Sequence, residues 1–161
     1  MLRNILPFTA GAVAACAALG SIASRTVDSP WYRSLDKPAI QPPGAVFPVV
    51  WTSLYTDIAV TSAIALDRLE ERDPEAASAY RRALAINLVL NAKWSWIFFR
   101  FHRLGLAAVF AGVLAGSSID LVRRTYGAEP KAGLALSPYA AWCSFATVLS
   151  TAIWRRNRRR T

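Results

Sequence analysis

Five long apolar runs, separated by charged or proline-rich connections, constrain this chain more than any other feature. Residues 5–24 carry no charge, 44–66 carry only Asp57, 83–99 only Lys93, 104–122 only Asp120, and 132–154 none. A helix needs about 20 apolar residues, within a range of about 17–25, to cross the hydrocarbon of a bilayer, and all five runs fit. They are continuous rather than alternating, which favours helices over barrel strands. The expected fold class is therefore all-α: an integral membrane bundle of five transmembrane helices, forming one domain over residues 1–161. Composition agrees, because the chain is 54% hydrophobic and only 18% charged, against about a quarter charged in a soluble domain. The competing reading of the first run is a signal peptide, with Met1-Leu2-Arg3 as its basic start and Ser21-Ile22-Ala23 as a cleavage-like site. Its apolar stretch is longer than a usual signal core.

A net charge of +9 invites a nucleic-acid reading, but the cations sit at the ends of the runs and in the tail 155–161, as Arg155, Arg156, Arg158, Arg159 and Arg160. Such juxtamembrane clusters suit anionic lipid headgroups, so membrane lipid is the expected partner and nucleic acid is not. With five spans, eight cations lie on the N-terminal side and ten on the other. That narrow excess favours a cytoplasmic C-terminus. Cys16 and Cys143 lie inside apolar runs, with neither metal-site spacing nor a disulfide framework, and read as small packing residues.

The first connection, 25–44, is unlike the others. Pro30, Pro38, Pro42, Pro43 and Pro48 crowd it and its junction with the second run, beside Trp31 and Tyr32. Each proline lacks an N–H and fixes φ, so no continuous helix runs through it. A long, stiff, aromatic loop of this kind is expected to be functional, here as a lid over something the helices hold. The second connection, 67–79, is charged and broken at Asp73-Pro74, with Pro74 starting the next helix. The third, 100–103, is tight, and the fourth, 125–132, contains Gly127 and Pro130. Small residues recur at a spacing of four: Gly11 with Ala15 and Ala14 with Ala18 in the first run, and Ala108, Gly112 and Gly116 in the fourth. They serve either close packing inside the bundle or a homodimer face.

The chemistry lies on three helical stripes. Asn87, Asn91, Trp94 and Phe98 fall on one face of the third run. Two amides in hydrocarbon must either bond across helices or face a cavity. Trp51, Tyr55 and Ile58 make a second stripe, and Tyr139, Trp142, Ala146 and Leu149 a third, with Pro138 placed to bend that helix. Under an aromatic lid, these stripes suggest a cavity for a large flat apolar ligand. Asp57 and Lys93 lie near the middle of neighbouring runs and are expected to pair or to line a polar cavity. Asp120 lies nearer a membrane surface, within reach of Arg123 or Arg124. His102 reads as an interfacial histidine rather than a haem ligand. No nucleophile–base set, phosphate loop or paired carboxylates are present, so no catalytic group and no required cofactor or metal is assigned.

These residues carry a family resemblance. Trp31-Tyr32, Leu35, Lys37-Pro38, Pro42-Pro43, Phe47-Pro48, Trp51-Thr52, Leu54-Tyr55, Asn91, Trp94, Phe98-Phe99, Pro138-Tyr139, Trp142, Ala146-Thr147-Val148-Leu149 and Trp154-Arg155 appear in the order found in the translocator protein family. Bacterial members of that TspO/MBR family, of the peripheral benzodiazepine receptor type, are called tryptophan-rich sensory proteins. The resemblance implies a five-helix membrane bundle, commonly a homodimer, in a bacterial cell membrane. It implies a lidded pocket for tetrapyrroles such as protoporphyrin IX and haem. Trp31, Tyr32, Asn91, Trp94 and Ala146 match pocket positions. Trp51 and Trp142 match the tryptophans implicated in light-dependent porphyrin breakdown. Two departures concern the lid: Ala39-Ile40 and Gly44-Ala45 stand where the family often has tryptophan, sometimes with an arginine. The family's sterol motif is also missing, because no tyrosine lies between Leu149 and Arg155.

Three functions follow as alternatives. The first is a membrane protein that binds porphyrins in a sensory, regulatory or scavenging role, through Trp31, Tyr32, Trp51, Tyr55, Asn87, Asn91, Trp94, Phe98, Tyr139, Trp142 and Ala146. The second is a photo-oxidative porphyrin-degrading enzyme using Trp51 and Trp142. The third is a transporter of porphyrin or a sterol-like ligand, disfavoured by the lack of an internal repeat.

Overall fold

The computed structural model describes residues 2–159, and among them every regular element is helical. Helix α1 is Leu2–Ser24, followed by a 3₁₀ turn, Arg25–Asp28, and a short helix α2, Pro30–Ser34. Helix α3 is Val46–Arg72 and α4 is Pro74–Ser95, which runs on as a π-helical segment, Trp96–Arg100. Helices α5, Leu104–Ala128, and α6, Pro130–Asn157, complete the chain. Four stretches are long and apolar enough to cross a membrane: Leu2–Asp28, Val46–Arg72, Leu104–Ala128 and Pro130–Asn157. Helix α4 is not among them, because Glu75, Arg81, Arg82 and Lys93 put too many charges on a helix of 22 residues.

The helices are longer than their apolar runs, and the expected connections 67–79 and 125–132 shrink to single residues. Helix α3 continues through its charged end to Arg72, leaving Asp73 alone before α4. Asp73 Oδ1 accepts from the Ala76 N–H at 2.9 Å, and Pro74 takes the first helical position, where its missing N–H costs nothing. Only Glu129 separates α5 from α6. Hydropathy marks where a helix leaves hydrocarbon, not where its hydrogen bonds stop. Helix α6 also runs unbroken through Pro138.

Helices α5 and α6 pack closely from end to end. A Cβ on Gly133 would lie 2.4 Å from the Tyr126 Cα, so only glycine allows that hairpin. A Cβ on Gly112 would lie 3.7 Å from the Thr147 methyl, and one on Gly105 would lie 3.0 Å from the Trp154 indole nitrogen. With Ala108 also buried, most of the α5 small-residue stripe packs inside the bundle, while Gly116 is open. Gly11, Ala14, Ala15 and Ala18 of α1 face outward.

Polar side chains bind the interior. Thr9 donates to the Ala59 carbonyl at 2.8 Å, joining α1 to α3. The Tyr80 hydroxyl bonds Ser62 at 3.1 Å and Thr125 at 2.8 Å, joining α4 to α3 and α5. Groups buried this deeply must be paired, because the cost of leaving one unpaired is about 1–3 kcal/mol. The main apolar core fills the side of the bundle around Ile58, Leu66, Tyr80, Leu121, Leu136 and Tyr139. A second cluster around Phe98, Leu104, Leu149 and Ile153 receives Trp31, Tyr32, Leu35 and Phe47, so the first connection docks there.

The expected Asp57–Lys93 pair does not form. Neither residue joins an ion pair among the described residues, and neither lines the cavity or the recess described below. Similar depth does not give facing orientation: Lys93 is exposed on the outer face of α4 with Ile86 and Val89, and Asp57 is half-buried. Asp120 does meet Arg124, at 2.6 Å across one helical turn.

Candidate functional site

The first connection is more ordered than a proline-stiffened loop needs to be. Ser29 accepts from the Tyr32 N–H at 3.2 Å and Pro30 takes the next position, so Ser-Pro starts α2. The Lys37 ammonium donates to the Tyr32 carbonyl at 2.7 Å and lies 4.6 Å from the centre of the Tyr32 ring, closing the exit from α2. Farther on, Asn157 at the end of α6 clamps the backbone of Asp36. Its Oδ1 accepts from the Asp36 N–H at 3.0 Å, and its Nδ2 donates to the Asp36 carbonyl at 2.9 Å. Asn157 is 1% exposed. The Arg156–Asp36 ion pair beside it, at 3.3 Å, is half-exposed and adds little.

Beneath this segment lies a cavity of about 700 Å³. Helix α1 contributes Gly20 and Ser24, the lid Tyr32, Arg33, Lys37 and Gln41, α3 Phe47, Trp51 and Tyr55, and α4 Trp94 and Ser95, with Phe99 from the π segment. A recess of about 40 Å³ adjoins it, sharing Tyr32, Gln41, Phe47, Trp51, Trp94 and Phe99, and adding Phe98, Trp142, Phe145, Ala146 and Leu149. Helix α5 lines neither.

The aromatic walls are interlocked. Trp51 stacks on Tyr55 with ring centres 5.4 Å apart and meets Trp142 edge-on at 6.5 Å. Phe47 meets Trp142 edge-on at 5.9 Å. Trp94 packs against Phe98 and Phe99 at 5.8 and 6.2 Å. Such pairs hold ring orientations and leave flat faces for a planar guest. Burial pushes the Tyr32 phenol above its usual pKa, and a hydrogen bond from Gln41 Nε2, at 3.2 Å, pulls it partly back. The phenol therefore stays neutral at ordinary pH.

Of the expected site residues, Tyr32, Trp51, Tyr55, Trp94, Phe98, Trp142 and Ala146 line the cavity or its recess. Four do not. Trp31 lies outside, stacked on His102 with ring centres 3.8 Å apart and edge-on to Phe98. His102 itself has φ of 56°, in the left-handed region, where it turns the chain after the π segment. Asn87, Asn91 and Tyr139 sit deeper and form a hydrogen-bonded chain. Tyr55 donates to Asn91 at 3.0 Å, Asn91 to the Tyr139 hydroxyl at 3.2 Å, and Tyr139 to Asn87 at 2.8 Å. Asn87 donates in turn to Ser117 and Ser118 at 3.2 and 3.1 Å. This chain links α3, α4, α5 and α6, and touches the cavity only at Tyr55. The two amides thus serve as interhelical bonds beneath the cavity floor.

Sequence reasoning missed Phe47, Phe99 and Gln41 as lining residues. Phe47 had a signal, since it precedes Trp51 by one helical turn. Gln41 had none, because a loop residue belongs to no period.

The sequence profile of the TspO/MBR family matches residues 8–155. Among curated proteins, the chain is 30% identical to Protein CrtK of Rhodobacter capsulatus over 143 residues, which is 89% of this chain and 88% of that one. It is 32% identical to the translocator protein of Homo sapiens over 132 residues, 79% of this chain and 75% of that one. It is 30% identical to the tryptophan-rich sensory protein of Cereibacter sphaeroides over 145 residues, 90% of this chain and 88% of that one.

Proposed function

The chain belongs to the TspO/MBR family, and on that membership and the geometry of its cavity we propose that it binds porphyrins or related tetrapyrroles within the membrane, to sense, regulate or scavenge them. The observation that carries this reading is the cavity of about 700 Å³ walled by Phe47, Trp51, Tyr55, Trp94 and Phe99. Its size falls within the range of about 300–1,000 Å³ that small-molecule and cofactor sites occupy. Its walls suit a flat ligand, and Tyr32 and Gln41 of the lid close over it.

In this proposal α4, with its π-helical extension, is the fifth span: residues 83–99 carry only Lys93, and the remaining charges gather at its start. The C-terminus lies in the cytoplasm of a bacterial cell. A second copy packs on the outward small-residue face of α1, around Gly11 and Ala15. No cofactor is required beyond the ligand itself.

Titration of the purified protein with protoporphyrin IX, followed by tryptophan fluorescence, tests the reading. Saturable quenching is expected, weakened on Trp51→Ala. Non-saturable quenching would refute it. A second reading rests on the Trp51–Trp142 contact: two adjacent oxidisable indoles could support photo-oxidative breakdown of the bound tetrapyrrole. Under illumination that activity yields a new absorbing product, which is lost in Trp142→Phe. Unchanged product in the variant rules it out.

A further inference from the structure

We propose that Arg25 and Arg100 seat the headgroup of an anionic phospholipid where the end of α1 meets the π segment, with its acyl chain lying over Leu19, Ile22, Trp96 and Phe101. The proposal rests on α1 crossing the membrane and is independent of what the cavity binds.

The two ends of the bundle differ in how their cations are matched. At the end that holds the N-terminus and the α3–α4 and α5–α6 junctions, seven carboxylates accompany eight cations. Three ion pairs form there: Arg68–Glu129, Arg81–Glu70 and Arg124–Asp120. At the lid end, only two carboxylates, Asp28 and Asp36, accompany ten cations. Among the described residues of that end, Arg156 alone finds one, pairing with Asp36 at 3.3 Å. Nearly all of the net charge of +9 therefore collects at the lid end. Cations gathered in this way repel one another and draw their counter-charge from outside the protein.

One place at that end joins unmatched charge to an apolar surface. Thr26 Oγ1 donates to the Phe99 carbonyl at 3.0 Å, fastening the 3₁₀ turn to the π segment. Arg25 and Arg100 flank that bond in sequence, one on each segment, and both are exposed. Neither joins an ion pair among the described residues. Asp28, in the same turn as Arg25, lines the cavity and pairs with neither. Six residues before Arg25, about 9 Å by helical rise, the Leu19 carbonyl accepts from Trp96 Nε1 at 3.2 Å. The Trp96 indole thus lies against α1 with its one donor used. The Phe101 ring packs beside it, with centres 6.4 Å apart. Leu19, Ile22 and Phe101 are 48%, 49% and 61% exposed. They lie lidward of the stretch around Gly11 and Ala15 that a second copy is proposed to cover. An anionic phospholipid carries the matching parts in the matching order, a phosphate at the surface and a chain beneath it. Guanidinium groups suit phosphate oxygens, and basic sites between helices at a membrane surface hold such headgroups. A zwitterionic lipid brings its own cation to the two arginines, and free phosphate brings no chain.

Native mass spectrometry of the full chain, released from micelles holding equal amounts of phosphatidylglycerol and phosphatidylcholine, tests this. The unmodified protein is expected to retain phosphatidylglycerol about tenfold over phosphatidylcholine, the effect of two cations near a membrane surface. Arg25→Gln with Arg100→Gln is expected to remove most of that preference. Arg81→Gln with Arg124→Gln takes the same charge from the other end and is expected to leave it unchanged. Phosphatidylglycerol brominated on its acyl chains is expected to quench tryptophan emission more than brominated phosphatidylcholine does, and the excess is lost in Trp96→Phe. Equal retention of the two lipids by the unmodified protein, a comparison that needs no variant to fold, overturns the proposal. An equal loss of preference in the two double variants also overturns it, since that marks a diffuse attraction to charge. Displacement of the lipid by inorganic phosphate at constant ionic strength does the same, since that marks an anion site in which the chain has no part. Protoporphyrin IX binding is read by its own titration, so this proposal and the cavity reading fail separately.

Discussion

Tyr139→Phe is the most informative single perturbation of this bundle, because it deletes one oxygen from the middle of the buried polar chain and keeps the ring. The hydroxyl accepts from Asn91 Nδ2 and donates to Asn87 Oδ1. Both asparagines are at most 1% exposed, so water cannot replace it. Two bounds bracket the cost. Interhelical hydrogen bonds inside membrane proteins average about 0.6 kcal/mol, so two lost bonds give about 1.2 kcal/mol. Two atoms left buried without partners, at about 1–3 kcal/mol each, give at least about 2 kcal/mol. The second mechanism governs here, since the stranded atoms face protein rather than a fluid that can rearrange. We expect a loss of about 2 kcal/mol, or on the order of 4–8 °C in melting temperature for a chain of this length. Reversible unfolding in mixed micelles measures it. Asn87→Leu combined with Tyr139→Phe is expected to cost about 1 kcal/mol less than the sum of the two single changes, because Asn87→Leu removes the acceptor that Tyr139→Phe strands. Strict additivity, or a Tyr139→Phe variant as stable as the parent, would refute the reasoning.

Two further outcomes follow from the geometry. Asn157→Ala removes both bonds to the Asp36 backbone, at about 0.5–1.5 kcal/mol each. Amide hydrogen exchange of Asp36 and its neighbours is expected to rise about tenfold or more, with α5 unchanged; unchanged exchange at Asp36 would mean that the clamp does not hold the lid. Gly133→Ala drives a methyl into the Tyr126 backbone and is expected to cost at least the ~1–3 kcal/mol typical of overpacking, read as a collapse in the yield of monodisperse protein.

The helices themselves were legible in the sequence because hydrophobic runs of membrane length have few alternative meanings. The short helix α2 is legible only at its Ser29-Pro30 start, because five residues are too few to show a helical period among prolines that exclude a longer helix. The site was legible by face and not by depth. Asn87, Asn91, Trp94 and Phe98 do share a stripe, but the cavity occupies one end of the bundle, so the same face is core at Asn87 and wall at Trp94. The Asp57–Lys93 expectation failed for the complementary reason: position along a run fixes depth, but not which way a side chain faces around the helix. Gln41 was invisible to both measures.

The clamp at Asn157 also orders events in time. Asp36 and its partner are 121 residues apart in the chain, and synthesis runs from the N-terminus. The lid therefore leaves the ribosome well before the residue that fastens it. Until α6 is made, the adjoining recess also lacks Trp142, Phe145 and Ala146. The walls of the cavity, all from α1, the lid, α3 and α4 with its π segment, are therefore made before the helix that fastens the lid, and α6 brings the recess and the clamp together on one element.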